Sequence, residues 1–191
     1  QDPDVILVGE IRDLETASIA IKAAQTGHLV FSTLHTNNAT SSVDRLLNMG
    51  VEPYLICTSL NLVIAQRLVR RICQNCSEPY EPDPALVARF RRALPDAGNV
   101  TFMHGVGCDE CSGSGYKGRV AVYELFPITR DVKSLVLTGE LRSKIRDQAI
   151  ADGMQTLLVS GMSKVKAGQT TLDEVLSVAM ESDKARTPES S

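Results

Sequence analysis

Asp4-Val5-Ile6-Leu7-Val8-Gly9-Glu10-Ile11-Arg12-Asp13 is the stretch whose reading decides the fold. Val5 to Val8 form an unbroken aliphatic run between a charged residue and a glycine. Such a run suits a strand buried on both faces, in a parallel sheet covered by helices. Glu10 then stands just past the strand's C-terminal end, the edge where open α/β sheets bind their ligands. A lone apolar run followed by an acid reads equally as a core strand entering a solvated turn. The neighbouring sequence therefore carries the weight.

Asp13 is a candidate N-cap, and Leu14, Ala17, Ile21 and Ala24 recur at helical spacing until Gly27 stops the helix. A second strand follows, Leu29-Val30-Phe31-Ser32-Thr33, leading into Leu34-His35-Thr36-Asn37-Asn38. A right-handed crossover makes the two strands parallel. Both then deliver polar groups to one edge: Glu10 from the first strand, Thr33 and His35 from the second. A carboxylate, a hydroxyl and an imidazole are expected to converge there.

P-loop nucleotidases end their second signature strand in this way, with a carboxylate aimed at magnesium or at the attacking water. Gln1 through Asp13, with Val8-Gly9-Glu10-Ile11-Arg12-Asp13 at its centre, resembles the Walker B region of the ATPases of type II secretion and type IV pilus assembly. Thr26-Gly27-His28-Leu29 through Asn37 resembles that family's histidine box, and the likeness runs through the cysteines to about Glu181. The resemblance implies an α/β fold: the C-terminal part of a RecA-like P-loop ATPase domain, with an inserted four-cysteine zinc module and a helical C-terminal region. Implied with it are ATP and Mg2+ as ligands, a homo-hexameric ring and inner-membrane platform proteins as partners. The expected location is the cytoplasm, peripheral at the inner membrane. Glu10 and His35 would be catalytic, His35 as a γ-phosphate sensor supported by Thr33. Gly9 stands where many P-loop enzymes carry a metal-binding Asp, so Glu10 has two open roles, base or magnesium partner. Arg12 is set to contact phosphate or to pair with Asp13. His28 lies at the opposite strand end, and a structural cap and a functional role stand equal there.

No G-x-x-x-x-G-K-[ST] loop occurs in the sequence. Ser112-Gly113-Ser114-Gly115-Tyr116-Lys117-Gly118 has glycines and a lysine in the wrong order. The chain opens on Gln1 and enters a strand at once. The expectation is a C-terminal piece of a longer ATPase whose phosphate loop and acidic box lie upstream, inactive by itself.

With 191 residues the chain is long enough for a domain and a satellite. Its net charge of −3 argues against whole-chain nucleic-acid binding. No apolar run reaches the length of a membrane span.

Ala39 to Asn48 reads as a helix, and Pro53 opens a longer one from Tyr54 to about Ile72, nearly apolar all round at Leu60 to Ala65 and basic at its end through Arg67, Arg70 and Arg71. Those arginines would complement the helix dipole, or serve a subunit interface or a contribution in trans to phosphate binding. Cys73-Gln74-Asn75-Cys76 and Cys108-Asp109-Glu110-Cys111 are two C-x-x-C pairs, enough for one tetrahedral zinc site. The competing readings are two disulfides, disfavoured without an export signal, and redox chemistry, disfavoured because the pairs duplicate. Cys108 to Gly115 also resembles one repeat of the J-domain chaperones, but the first pair lacks the glycines. The segment between the pairs holds a short helix at Ala85 to Leu94 and too few apolar residues for its own core. Cys57 reads as an inert core thiol, and His104 as a spare ligand that four cysteines leave unneeded.

Gly118 to Leu125 reads as a strand, followed by helices at Arg130 to Leu137, Leu141 to Asp152, Met154 to Lys166 and Thr171 to about Met180, the last with the form of a capping box. The expected division is residues 1–72, ATPase core; 73–118, zinc subdomain; 119–182, return strand and helices; and 183–191, a disordered tail. Two functions follow: the C-terminal part of an ATP-hydrolysing motor for pilus assembly or secretion, or a non-catalytic, zinc-stabilised module that binds protein or nucleic acid. Retraction motors fit less well, since that branch generally lacks the four cysteines.

Overall fold

The computed structural model describes residues 3–183, with side chains to residue 179. Of the tail expected at 183–191, Asp183 is the last residue of a helix and the rest lies outside the described residues. The chain divides into two compact units, one of Gln1–Ile64 and Leu125–Met154, the other of Ala65–Glu124 and Gln155–Ser191.

In the first unit, β1 (Val5–Val8), α1 (Leu14–Gln25) and β2 (Leu29–Ser32) form the expected strand–helix–strand unit. The strands are parallel, in the register Val5↔Leu29 through Val8↔Ser32. Asp13 caps α1 by accepting from Thr16 N–H at 2.8 Å. α2 (Ser41–Asn48) and α3 (Pro53–Ser59) follow, and Ala17, Leu46, Val51 and Ile56 make a buried core beneath Ile11, Ile21 and Leu34. α5 (Arg130–Leu137) and α6 (Arg142–Ala151) complete this unit, and Arg142 is ion-paired with Asp44 of α2.

The sheet is not buried on both faces. Ile6, Val8 and Val30 are half-buried, whereas Val5, Leu7, Leu29 and Phe31 are more than half exposed. With two strands only, one face of the pair has nothing described against it.

A second correction concerns the long helix expected from Tyr54 to Ile72. α3 ends at Ser59 and the chain turns into an 11-residue strand, β3 (Leu62–Ile72). Val63, Ala65 and Val69 face inward while Leu62, Ile64, Gln66, Leu68 and Arg70 face out. That period of two fits a strand, and Val and Ile side chains favour it. The arginines therefore sit on a strand, with no helix dipole to complement. β3 pairs with β6 (Tyr116–Pro127), which is longer than the strand expected there.

In the second unit, the antiparallel pair β4 (Ser77–Pro79) and β5 (Met103–Gly105) brackets α4 (Pro84–Ala93). α7 (Leu157–Lys166) and α8 (Leu172–Asp183) pack against α4. The segment between the cysteine pairs makes no core alone. Phe90 and Phe102 meet edge to face, 5.2 Å between centroids, and share their core with Met162, Val165, Leu172 and Val175 of α7 and α8.

Thr171 caps α8 as expected, accepting from Glu174 N–H at 3.4 Å. The reciprocal half is absent: the Glu174 carboxylate goes to Arg70 instead, accepting from its Nε at 2.9 Å and its backbone N–H at 3.0 Å. Arg70 also lies 4.2 Å from the centre of the Tyr116 ring. The hydrogen bond from Arg70 holds Glu174 below its ordinary carboxylate range. A depressed carboxylate stabilises the fold above its unfolded pKa, about 4.3, and that contribution is lost as pH falls through the folded value. Glu174→Gln should cost about 1.5–3 kcal/mol at pH 7. Denaturant unfolding at pH 7 and pH 3 checks this: the wild-type advantage should be smaller at the lower pH.

Candidate functional site

Glu10 leaves the C-terminal end of β1, and the chain beyond β2 brings Thr33 and His35 to the same edge. Two hydrogen bonds lock the strand ends together: Ile11 N–H donates to the Thr33 carbonyl at 3.0 Å, and Thr33 Oγ1 donates to the Gly9 carbonyl at 2.7 Å. Thr33 thus fixes the backbone from which Glu10 projects. His35 Nε2 stands 2.6 Å from Glu10 Oε1. Arg12 Nε donates to the other carboxylate oxygen at 2.6 Å, where the sequence had suggested phosphate or Asp13 as its partner. Asp13 is occupied as the α1 cap.

The two carboxylate oxygens differ. Oε2 is taken up by Arg12, while Oε1 is sealed from solvent and receives no well-aligned hydrogen bond. The hydrogen bond from Arg12 lowers the Glu10 pKa, burial opposes it, and the charges of Arg12 and His35 lower it further. Glu10 is therefore anionic at neutral pH, with one oxygen available to a water, a cation or the imidazole. His35 itself is largely exposed. The structure thus gathers Glu10, His35, Arg12, Thr33 and Gly9 at one place.

His28 is not among them. It precedes β2, and its Nδ1 lies 3.0 Å from both Thr26 Oγ1 and the Ala23 carbonyl, at the C-terminal end of α1. Gly27, with φ +102°, makes the turn that puts it there.

The four cysteines come together in the second unit, with their sulfurs all within 4.8 Å of one another. Two short 3-10 turns, Gln74–Cys76 and Asp109–Cys111, form the knuckles. The glycines beside the second knuckle serve close approach. A Cβ on Gly105 would fall 2.0 Å from the Gly115 carbonyl oxygen, and one on Gly107 would fall 2.7 Å from that of Gly113. The backbone strands flanking Cys108 and Cys111 are pressed together at two levels.

Backbone N–H groups point at the sulfurs: Gly107 at Cys76 (3.3 Å), Cys108 and Gly115 at Cys111 (3.2 and 3.3 Å), and Cys111 at Cys108. Burial pushes the Cys76 thiol up to about 12. Burial also acts on Cys111, but the N–H groups of Cys108 and Gly115 and the neighbouring thiols bring it down to about 6. A thiol set with a thiolate already favoured at one member suits a cation, and four soft donors at this spacing fit zinc. None of the five cysteines is paired in a disulfide. Cys57 is buried in α3, its thiol 3.5 Å from the Lys133 carbonyl. His104 lies outside the cluster, stacked on Tyr80 and 3.4 Å from Glu78.

The class defined by this geometry is an α/β protein with a polar strand edge and a separate four-cysteine site. Residues 1–177 match the family described as Type II/IV secretion system protein, and the chain belongs to it. It is 50% identical over 177 residues to the type IV pilus assembly ATPase PilB of Myxococcus xanthus, covering 92% of this chain and 31% of that one. With the type II secretion system protein E of Pectobacterium carotovorum it shares 47% over 182 residues, 95% of this chain and 35% of that one. The chain thus spans about a third of the length of these relatives. In fold it is similar to the Yersinia pseudotuberculosis ATPase DotB, with a TM-score of 0.63 at 20% identity over 94% of this chain and 37% of that one. No helix among the described residues is long and apolar enough to cross a membrane.

Proposed function

We propose that this chain supplies the Walker B carboxylate and the histidine box of a motor ATPase that powers type IV pilus assembly or type II protein secretion. The observation that carries the reading is the pairing of Glu10 with His35 at the shared end of two parallel strands, with the imidazole beside a buried carboxylate oxygen. The two relatives described above are named one for pilus assembly and one for secretion, and the reading covers both. The RecA-like phosphate loop would come from the rest of the full-length protein. A hexameric ring, inner-membrane platform partners and a cytoplasmic, membrane-peripheral setting belong to this proposal.

Within it, Glu10 Oε1 accepts a hydrogen bond from the attacking water or from the hydration shell of Mg2+. Its lowered pKa makes it a weak base while Arg12 holds Oε2. Base strength rises if Arg12 turns to the phosphate, so Arg12 couples nucleotide binding to the carboxylate. His35, exposed beside Oε1, is placed to donate to the γ-phosphate. Thr33 and Gly9 position Glu10 through their mutual hydrogen bond. Cys73, Cys76, Cys108 and Cys111 would hold one Zn2+ with a structural role, because four thiolates leave no open position for water.

The histidines test this reading in the full-length protein. His35→Ala should lower ATP turnover on the order of 10²-fold, the effect of removing one donor to developing charge, with ADP affinity retained. His28→Ala should leave turnover within a few-fold and cost about 1 kcal/mol of stability, as for one hydrogen-bonded end. Steady-state turnover, ADP titration and thermal melts read the two apart. Equal losses in both variants, or unfolding of His35→Ala, would make His35 a structural residue.

A further inference from the structure

We infer that Lys117 is a positioning residue for the four-cysteine site, its ammonium held by Glu110 at the cavity that Cys73 borders and offsetting the negative charge of the ligand set there. The inference rests on the zinc reading above and concerns how the protein retains that metal.

Three of the four sulfurs receive backbone N–H groups: Cys76 one, Cys108 one and Cys111 two. Among the described residues none is directed at the Cys73 sulfur. Hydrogen bonds to a ligating thiolate disperse its charge and hold it in place, so Cys73 is the member left to another group. Cys73 also borders a cavity of about 280 Å³ whose lining is Arg71, Ile72, Gln74, Asn75, Glu110 and Lys117. Two cations thus line a cavity together with Cys73.

They differ in how they are held. Lys117 is ion-paired with Glu110, which lies between Cys108 and Cys111 in the second knuckle. That pairing ties a β6 side chain to the second knuckle on the side of the cavity where the first knuckle's Cys73 is found. Glu110 raises the Lys117 pKa most, and the charges of Cys73 and Cys108 raise it further. Arg71 is exposed and has no ion pair among the described residues. A tetrathiolate zinc site would carry a net charge of −2, and a fixed ammonium lowers the cost of holding it where the backbone does not.

Zinc release and cobalt spectra of the full-length protein provide the test. The wild type should release zinc to a colorimetric chelator slowly. Lys117→Gln should release it about 10-fold faster, the lower end for partners of metal ligands. Lys117→Arg should restore the wild-type rate, and Arg71→Gln should change it less than Lys117→Gln. In the cobalt-substituted protein, Lys117→Gln should shift the thiolate-to-metal absorption to longer wavelength, since removing the cation raises the thiolate lone pairs in energy. A packing role for Lys117 would leave that band unmoved. Unchanged release and spectrum in Lys117→Gln, with one zinc bound per chain, would overturn the inference alone. Absence of metal from the wild type would overturn the zinc reading and this inference with it.

Discussion

Glu10→Gln in the full-length protein should bind ATP with unchanged affinity and turn it over about 10²–10⁴-fold more slowly, the range for loss of one positioned acid or base. The expectation comes from the asymmetry of the carboxylate. The amide keeps the size of the side chain and can still meet Arg12 through its oxygen, so the strand end should survive. What it loses is the anionic oxygen beside His35. Nucleotide titration and steady-state turnover separate the two effects. Turnover within a few-fold of wild type would remove Glu10 from the catalytic assignment. The isolated chain, lacking a phosphate loop among its residues, should show no magnesium-dependent turnover in either form.

Loss of the metal should have the largest effect on structure. Zinc binding to small tetrahedral sites is worth roughly 10–16 kcal/mol at neutral pH. Chelation, or Cys108→Ser, should therefore raise hydrogen exchange through the knuckles and the short β4–β5 pair. α4 should respond less, because Phe90 and Phe102 are held by side chains of α7 and α8. The Glu10–His35 edge belongs to the other compact unit and should keep its protection. Metal analysis with X-ray absorption should find one zinc per chain and four sulfurs at about 2.3 Å. Nitrogen or oxygen ligands, or intact disulfides, would overturn the assignment.

The parts of the fold written in local pattern were readable. Asp13 and Thr171 announce helix starts, Gly27 a stop, and the two C-x-x-C pairs a shared site, because each is a short-range geometric device. β3 was misread because Leu62 to Ala65 is apolar at every position, and so short an apolar run has no period to measure. Only β6, more than 40 residues later, makes it a strand. Arg12 was legible as a partner for an anion, but its choice of Glu10 depends on where β2 leaves Thr33. Glu174 carried the signature of a capping box, and Arg70 drew its carboxylate away from that bond. The pairing of Gly105 with Gly115 left a signal in the clustered glycines, though what it signified was contact between backbones. Lys117 had no signal beyond its nearness to Cys111.

The bare face of the β1–β2 pair bears on how the protein can be handled. Val5 and Leu7 lie opposite Leu29 and Phe31 in register. Each strand also keeps one edge without a described neighbour. An apolar strand with an open edge is a template for pairing with other chains. Expressed alone, this segment should therefore be prone to inclusion bodies and concentration-dependent oligomers. Lys or Glu at position 7, where Leu7 is 77% exposed, should raise the yield of monomer with little effect on the melting temperature. The same substitution in the full-length protein would place a charge wherever the remaining chain covers that position.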